Sequence, residues 1–183
     1  MSAASEKEVI LPADDLIITN KTDGRGQITY ANRTFMRITG FDEISVLGKP
    51  HNIIRHPDMP RGVFRLMWKT LASQREFFGF VKNYTVDGGF YWVFANVTPD
   101  MGADGKLKGY FSVRRSAPRA AVETISRLYA GMREVEARHG KAEAPDSSCQ
   151  WLQDELSRQG AESYEQFVIE LNRRQPASTL ALS

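Results

Sequence analysis

The sequence predicts an α+β domain, with a five-stranded antiparallel sheet that carries short helices on one face. Two β-type runs come first, a helical insert follows, and three further β-type runs complete the domain. Turn sequences join neighbouring runs at Asp23-Gly24, Asp87-Gly88 and Asp104-Gly105, and tight turns of this kind connect antiparallel strands. A sheet and a helical layer in this arrangement can enclose a pocket.

The first half of the domain contains two strands and two short helices. Residues 16–19 form a short apolar, β-branched run, and residues 27–30 alternate polar and apolar side chains, so both are predicted strands. Residues 32–38 are predicted to form a helix that ends at Gly40, and residues 42–48 are predicted to form a second one.

The second half begins with a longer helix over residues 61–73. Its apolar side chains recur at helical spacing and form one face, made of Val63, Phe64, Met67, Trp68 and Leu71. Three predicted strands follow, at residues 77–86, 90–99 and 106–114.

A helical extension is predicted after Arg115. Ser116 is the expected N-cap of a helix that ends before Gly140, residues 140–148 look like a polar linker, and short helices follow at residues 150–157 and 163–173. Helices of this length are unstable alone, so they must pack on the domain, on each other or on a second chain. The predicted division is a polar N-terminal segment, a compact domain, a connecting helix and a helical extension, at residues 1–14, 15–115, 116–139 and 140–183.

The composition argues against several classes of function. The 183 residues carry a net charge of +2, too balanced to indicate a nucleic-acid partner. No apolar run approaches the roughly 20 residues that span a bilayer, so no direct membrane insertion is expected. The single cysteine, Cys149, suits a reducing compartment. We therefore expect a cytoplasmic protein. Because glycine-rich phosphate loops and catalytic triads are missing from the sequence, we do not expect an enzyme.

The densest polar stretch is residues 50–60, here called the mouth segment. Its eleven residues include two of the three histidines, an arginine, an aspartate and three prolines, which is more typical of a shaped ligand site than of a core. Arg55 could bind a phosphate with two parallel hydrogen bonds, or pair with Asp58 and stiffen the loop. His56 could be a haem ligand, although a structural hydrogen bond is the commoner role of such a histidine.

These motifs resemble those of a PAS domain, in particular the FAD-binding sensory PAS domain of aerotaxis receptors. The resemblance covers about residues 16–115 and the helix that follows. It is carried by Ile28-Thr29-Tyr30-Ala31-Asn32-Arg33-Thr34-Phe35, Thr39-Gly40-Phe41, Gly48-Lys49-Pro50-His51-Asn52, Arg55-His56-Pro57-Asp58-Met59-Pro60, Met67-Trp68, Val81-Lys82-Asn83 and Tyr91-Trp92-Val93. The Arg-His-Pro-Asp-Met-Pro string is long and specific.

The resemblance implies a PAS fold with FAD bound non-covalently between sheet and helices. It places the cofactor contacts at Asn32, His51, Arg55, His56, Asp58, Trp68, Phe77 and Asn83. The family commonly has a tryptophan where this chain has Phe77. Phenylalanine keeps a flat apolar face for stacking but lacks the indole N–H, so redox tuning or affinity could differ.

The blue-light LOV branch of the PAS family offers a second comparison. The photoreactive cysteine of that branch falls on His51 of this chain, and its second flavin-contacting asparagine falls on Val93. Because no thiol is present at His51, the photochemical adduct is not expected. Asn83 matches the other flavin-contacting asparagine, so flavin binding is still implied.

Three functions are open at this point. The leading one is a sensor of redox, energy or oxygen state that binds FAD. Its last strand, residues 106–114, would act on the following helix, which would signal to a partner or to a second copy in a homodimer, as in aerotaxis. The second is a haem-binding gas sensor that uses His56 or His51. The third is a cofactor-free interaction module that dimerises through its C-terminal helices.

Overall fold

Five antiparallel strands form one sheet in the computed structural model, which describes residues 7–12 and 18–174. The strands are β1 (Ile18–Asp23), β2 (Ile28–Ala31), β3 (Phe77–Tyr84), β4 (Phe90–Met101) and β5 (Leu107–Ser116). Their order is β2-β1-β5-β4-β3, so β5 lies at the centre of the sheet between β1 and β4. The predicted α+β class and the five-stranded antiparallel sheet are confirmed.

Short helical elements connect β2 to β3 and form a layer over one face of the sheet. They are α1 (Arg33–Thr39), α2 (Glu43–Val46), a 3-10 turn (His51–Ile54) and α3 (Arg61–Ala72). At the start of α1, the Asn32 side chain accepts a hydrogen bond from the backbone N–H of Phe35 at 2.8 Å. Gly40 ends this helix with a φ of 74°, a left-handed conformation that glycine adopts without strain.

Alternation along the strands gives the sheet two different faces. The inner face is turned toward the helical layer and carries Asn20, Val81, Asn83, Tyr91, Val93, Ala95, Ser112 and Arg114. The outer face carries half-buried aromatic side chains, among them Phe78, Phe94 and Phe111. The polar residues Asn20, Asn83, Ser112 and Arg114 of the inner face are therefore buried, and Lys82 on the outer face is buried as well.

Three C-terminal helices pack on this domain and on each other. They are α4 (Arg119–Ala137), α5 (Ala144–Arg158) and α6 (Tyr164–Arg173). Helix α5 contacts both α3 and α4, and α6 contacts the edge strand β3. The apolar stripe of α4 is buried from Ala121 through Ile125 and Tyr129 to Met132. The C-terminal helices therefore pack both on the domain and on each other within a single chain, as two of the three expected packing modes require.

The expected linker over residues 140–148 is confirmed only for residues 140–143 and is wrong for residues 144–148. Helix α5 begins at Ala144 and has Pro145 in its first turn. Proline breaks a helix interior but fits the first turn, where its missing N–H has no intrahelical acceptor to bind. Polar composition alone therefore does not separate a linker from a half-exposed helix.

Two other predicted boundaries are displaced. Ser116 is the last residue of β5 rather than an N-cap, and Pro118 directly precedes α4. The first strand, expected at residues 16–19, begins at Ile18 and continues to Asp23. Its polar second half pairs with β5, a long-range contact that local propensity does not reveal. Residues 16–17 lie outside the described residues.

Candidate functional site

A cavity of about 230 Å³ lies between the inner face of the sheet and the helical layer. Its apolar lining comes from two sides. Helix α3 contributes Phe64, Met67, Trp68 and Leu71, and the sheet contributes Phe77, Val81, Ala95, Val97 and Tyr110. The apolar stripe predicted for α3 thus faces the sheet across the cavity.

One wall of the cavity is polar and is built around Arg114 of β5. Arg114 Nη1 donates a hydrogen bond to Asn20 Oδ1 on β1, and Nη2 donates to His51 Nε2 at 3.0 Å. We call Asn20, His51 and Arg114 the inner cluster. Arg114 Nε and the Ser112 hydroxyl are buried, and neither has a hydrogen-bond partner among the described residues. Buried polar atoms normally have partners, so this wall has unused hydrogen-bonding capacity beside the cavity.

The inner cluster carries a buried positive charge. Arg114 is 5% exposed, and its two hydrogen-bond partners are an amide and an imidazole rather than carboxylates. Desolvation lowers the pKa of Arg114 to about 10, which leaves the guanidinium charged at neutral pH. Desolvation, and secondly the charge of Arg114, lowers the pKa of His51 well below its ordinary value, so its imidazole is neutral. A buried cation with neutral neighbours is costly, and an electron-rich ligand would compensate it.

Asn83 of β3 and Tyr91 of β4 are buried beside the inner cluster. Asn83 Nδ2 lies 3.5 Å from the Tyr91 hydroxyl, at the outer limit of a hydrogen bond. Desolvation raises the pKa of Tyr91 to about 12, so the phenol is protonated and neutral. The Asn83 amide lines the cavity and can offer both a donor and an acceptor to a ligand.

The opening of the cavity lies between the mouth segment and the turn that joins β1 to β2. Trp68 is 42% exposed there, and its ring meets the Tyr110 ring edge-on, with centroids 5.3 Å apart. Arg25 and Asn52 also line this end of the cavity and are exposed. A ligand longer than the cavity would therefore leave it past Trp68.

Arg55 lines the cavity from the mouth segment and is itself held in place. Its guanidinium lies 3.9 Å from the centroid of the Phe64 ring, and its Nη2 donates to the Met59 carbonyl at 3.1 Å. The pairing considered between Arg55 and Asp58 is replaced by these contacts. The planar guanidinium is therefore pre-oriented at the cavity wall by a cation–π contact and one hydrogen bond.

Asp58 lies outside the cavity and links the mouth segment to the rest of the fold. Its carboxylate accepts hydrogen bonds from Lys82 Nζ at 2.7 Å and from Arg133 Nη1 at 2.6 Å. We call Asp58, Lys82 and Arg133 the outer cluster. Desolvation acts to raise the pKa of Asp58, but the hydrogen bond and charge of Lys82 and the charge of Arg133 outweigh it and hold that pKa below its ordinary value. Every member of the outer cluster has a partner of opposite charge.

His56 stabilises the turn of the mouth segment. Its buried ring contacts Tyr84 and Phe90, with centroids 4.5 Å and 5.6 Å apart, and its Nδ1 accepts the backbone N–H of Asp58 at 3.1 Å. Tyr84 and Phe90 belong to the outer face of the sheet. His56 therefore has a structural hydrogen bond of the commoner kind anticipated for it.

The eight predicted contact residues divide into two groups. Five of them line the cavity: His51, Arg55, Trp68, Phe77 and Asn83. The other three lie elsewhere, where Asn32 caps α1, His56 supports the mouth segment and Asp58 pairs with Lys82 and Arg133.

The prediction missed Asn20, Ser112 and Arg114. A usable signal was present, because Tyr110, Ser112 and Arg114 alternate along the last strand and so share one face. An arginine at an inward position of a strand is rarely left without a role, since buried charges are rare.

Together these features define a class of protein domain, in which a ligand cavity lies between a five-stranded antiparallel sheet and short helices. The chain belongs to the PAS fold family, whose model matches residues 19–115, more than half of its length. The predicted family is thereby confirmed.

Two proteins with similar sequences contain a matching region. The chain is 41% identical over 117 residues to the aerotaxis receptor of Escherichia coli K12, a match that covers 64% of this chain and 23% of the receptor. It is 34% identical over 94 residues to the nitrogen fixation regulatory protein of Klebsiella pneumoniae, covering 51% of this chain and 19% of that protein. The predicted resemblance to aerotaxis receptors is confirmed. The chain spans less than a quarter of either relative's length.

Solved LOV domains share the fold. The light-state structure of the aureochrome-1 LOV photoreceptor superposes with a TM-score of 0.52 at 17% identity, covering 65% of this chain and 91% of that one. A LOV domain studied with a flavin analogue gives a TM-score of 0.54 at 17% identity, covering 63% and 86%. At such identities the likeness establishes the fold alone.

Two kinds of feature are absent from residues 7–12 and 18–174. No helix there combines the length and apolar character needed to cross a membrane. No group of three or more His, Cys, Asp or Glu side chains there is placed to hold a metal ion.

Proposed function

We propose that this chain is a redox or energy sensor that binds FAD non-covalently and signals through its C-terminal helices to a partner, as in aerotaxis. The cavity carries the proposal, because it combines opposed apolar walls with one polar wall. An oxidised flavin needs such a slot, with donors opposite its carbonyl oxygens and ring nitrogens. We assign the chain no catalytic reaction, and its single cysteine supports a reducing, cytoplasmic location.

The residues present fit a flavin ring. Phe77 and the α3 side chains would flank its faces, while Asn83 and Arg114 would meet its polar edge. The cavity of about 230 Å³ is smaller than the roughly 300–1,000 Å³ of typical small-molecule sites, so it suits the ring rather than a whole dinucleotide. The phosphates would then lie at the opening, near Arg25 and Arg55. When bound, the flavin supplies the redox chemistry, and the chain binds and orients it.

A haem is supported less well by the two candidate histidines. The His56 ring packs against Tyr84 and Phe90 outside the cavity. His51 does line the cavity, but its Nε2 is engaged by Arg114 at 3.0 Å. An axial ligand needs a ring nitrogen aimed at the iron, which would require one of these contacts to break.

Helix α4 contacts Asp58 of the mouth segment and Gly62 at the start of α3, two elements that also carry the cavity-lining residues Arg55 and Phe64, so a signal could pass through them to α4. Arg133 binds Asp58 at 2.6 Å, and one helical turn later Glu136 Oε1 accepts the backbone N–H of Gly62 at 2.8 Å. Pro60 provides no side-chain cap for α3, so Glu136 of α4 caps the N-terminus of α3 instead. A change in the mouth segment or at the start of α3 would therefore act on α4, in addition to the expected path from β5 into the same helix.

A second contact series joins the cavity to α6. The Phe77 ring lines the cavity and stacks on the Tyr164 ring, with centroids 6.0 Å apart. The Tyr164 and Tyr129 hydroxyls are 2.6 Å apart, and Tyr129 also donates to the Phe80 carbonyl at 2.8 Å. Because the apolar stripe of α4 is already buried, a partner or second copy would meet the remaining exposed faces.

The absorption spectrum of the purified protein tests the proposal. We expect flavin bands in the protein as purified, or after incubation with FAD followed by gel filtration. A preparation that stays colourless after FAD incubation contradicts the proposal, and if it also forms a dimer, it favours a cofactor-free interaction module. A Soret band would instead identify the haem sensor.

Hydrogen exchange tests the signalling route in the FAD-loaded protein. We expect amides of α4 to change their exchange rates between the oxidised protein and the dithionite-reduced protein, because the contacts at Asp58 and Gly62 bear on that helix. The variant Arg133→Ala removes the contact with Asp58 and should reduce the change in exchange rate. Identical exchange in both redox states contradicts the route.

A further inference from the structure

We propose that Arg114 recognises the N1–C2 carbonyl edge of the bound flavin ring and makes the protein bind reduced, anionic flavin more tightly than oxidised flavin. This inference rests on the proposed flavin binding. It adds that Arg114 sets the redox preference of the site. This residue lies on β5 rather than in the mouth segment.

The first support is the fixed and incompletely satisfied position of Arg114. Asn20 and His51 each accept one hydrogen bond from its two terminal nitrogens, which orients the guanidinium. Its Nε and the neighbouring Ser112 hydroxyl have no partner within the described part of the chain, although both are buried and both residues line the cavity. Two donors are thus available at one wall, and a carbonyl with an adjacent ring nitrogen offers two acceptors.

The second support is depth, which favours the ring over a phosphate. Arg114 is 5% exposed, and its neighbours Asn83 and Tyr91 are 2% and 0% exposed. Phosphates are strongly hydrated, and the cavity opening already has Arg25 and Arg55 to bind them. The buried cation would therefore meet the part of the ligand that sits deepest, which is the ring.

The third support is the charge balance of the site. Uptake of two electrons and one proton turns the neutral oxidised ring into an anion with its negative charge at N1. The titratable groups beside Arg114 are His51 from the 3-10 turn and Tyr91 from β4, and both are neutral at pH 7. The reduced ring would meet a net positive charge in a poorly hydrated site, where Coulomb attraction is strong.

The test compares the flavin reduction potentials of Arg114→Met, Arg114→Gln and Arg114→Lys with that of the wild-type protein. Each loaded protein is reduced with dithionite in the presence of a reference dye. In the Met and Gln variants, we expect binding of reduced flavin relative to oxidised flavin to weaken at least tenfold. That is a fall of about 30 mV for a two-electron couple. Lysine keeps the charge and should restore most of the potential.

Arg115→Met is the matched control, because Arg115 is the next residue of the same strand, lies on the outer face and is exposed. It should leave the potential unchanged. A second series with riboflavin, which has no phosphate, separates the two possible contacts of Arg114. The same fall with FAD and riboflavin supports the ring contact, and a fall confined to FAD assigns Arg114 to a phosphate and overturns the proposal.

Two further outcomes are informative. If the wild-type protein binds flavin and both uncharged variants keep its potential, the role of Arg114 is refuted while the flavin sensor stands. If the wild-type protein binds no flavin, the proposed function and this inference both fail. Circular dichroism of each variant confirms that a lost signal is not a lost fold.

Discussion

The inner and outer clusters each contain an arginine, but the two arginines have opposite electrostatic surroundings. In the outer cluster, Asp58 stands between Lys82 and Arg133, and each cation has a carboxylate oxygen within 2.7 Å. In the inner cluster, the hydrogen-bond partners of Arg114 are the neutral side chains of Asn20 and His51. Every charged group of the outer cluster has an oppositely charged partner without a ligand, and the guanidinium of the inner cluster has none among its hydrogen-bond partners.

This difference separates structural roles from binding roles. Two ion pairs that share Asp58 join the mouth segment to β3 and to α4, and they position those elements relative to each other. An uncompensated buried guanidinium destabilises the free protein and gains most from a ligand of opposite charge. Removing a charged residue of the outer cluster should therefore lower the stability of the free protein. Removing Arg114 from the inner cluster should mainly weaken ligand binding.

The largest expected effect is that of Asp58→Ala on the free protein. The substitution leaves the Lys82 side chain, which is 9% exposed, without its carboxylate. Breaking a buried pair costs roughly 3–5 kcal/mol, and the partial exposure of Asp58 reduces this, so we expect a loss of about 2 kcal/mol. Urea denaturation measures it, with Asp104→Ala at an exposed ion pair as the control.

A free energy of unfolding equal to that of the wild type would show that the outer cluster has no structural role. The double variant Asp58→Ala/Lys82→Met should recover part of the loss, because it removes the unpaired charge.

The second effect is a pH dependence that distinguishes the clusters. The pKa of His51 is lowered in the folded state, so the unfolded chain takes up a proton at about pH 6.5 while the folded chain does not. Stability is therefore complete above about pH 6.5 and falls below it, by up to about 1.4 kcal/mol per pH unit. The pKa of Asp58 is also lowered, so its contribution is lost only below about pH 4.

Denaturation curves at a series of pH values check these two windows. His51→Gln should flatten the dependence between about pH 6.5 and 5, and the exposed His139→Gln is its control. If His51→Gln retains the full wild-type slope, His51 is not held neutral in the inner cluster.

The third effect is the small change expected for Arg114→Met in the free protein. The lost hydrogen bonds to Asn20 and His51 are offset by removal of a desolvated charge. We expect the free energy of unfolding to change by less than about 1 kcal/mol. A loss as large as that of Asp58→Ala would mean that Arg114 is structural, and the contrast between the clusters would disappear.

The smallest effect is expected for Arg133→Ala. Arg133 and Asp58 are 41% and 40% exposed, so solvent screens their pair, and Asp58 keeps Lys82. We expect a loss of about 0.5 kcal/mol that shrinks as salt is added. Denaturation at low and high salt measures it, and a large salt-insensitive loss would place Arg133 in a desolvated network instead.

The motif in the mouth segment predicted the family correctly but did not identify which of its residues line the cavity. Its specific string led to the family, but only Arg55 of the string's three candidate residues lines the cavity. His56 and Asp58 act on the backbone turn and on α4. A string specific to a family can record the packing around a ligand site as well as contact with the ligand, and the string alone does not separate the two.

Local spacing along the chain was enough to predict the hairpins, the apolar face of α3 and the five strands, because these depend on neighbours a few residues apart. The inner cluster depends on something else. Asn20 and His51 lie 94 and 63 residues from Arg114, and they meet it only because β5 pairs with β1 and the 3-10 turn closes over that pair. Whether a charge ends up paired or uncompensated is decided by such long-range strand pairing and burial, so only the tertiary structure distinguished the two clusters.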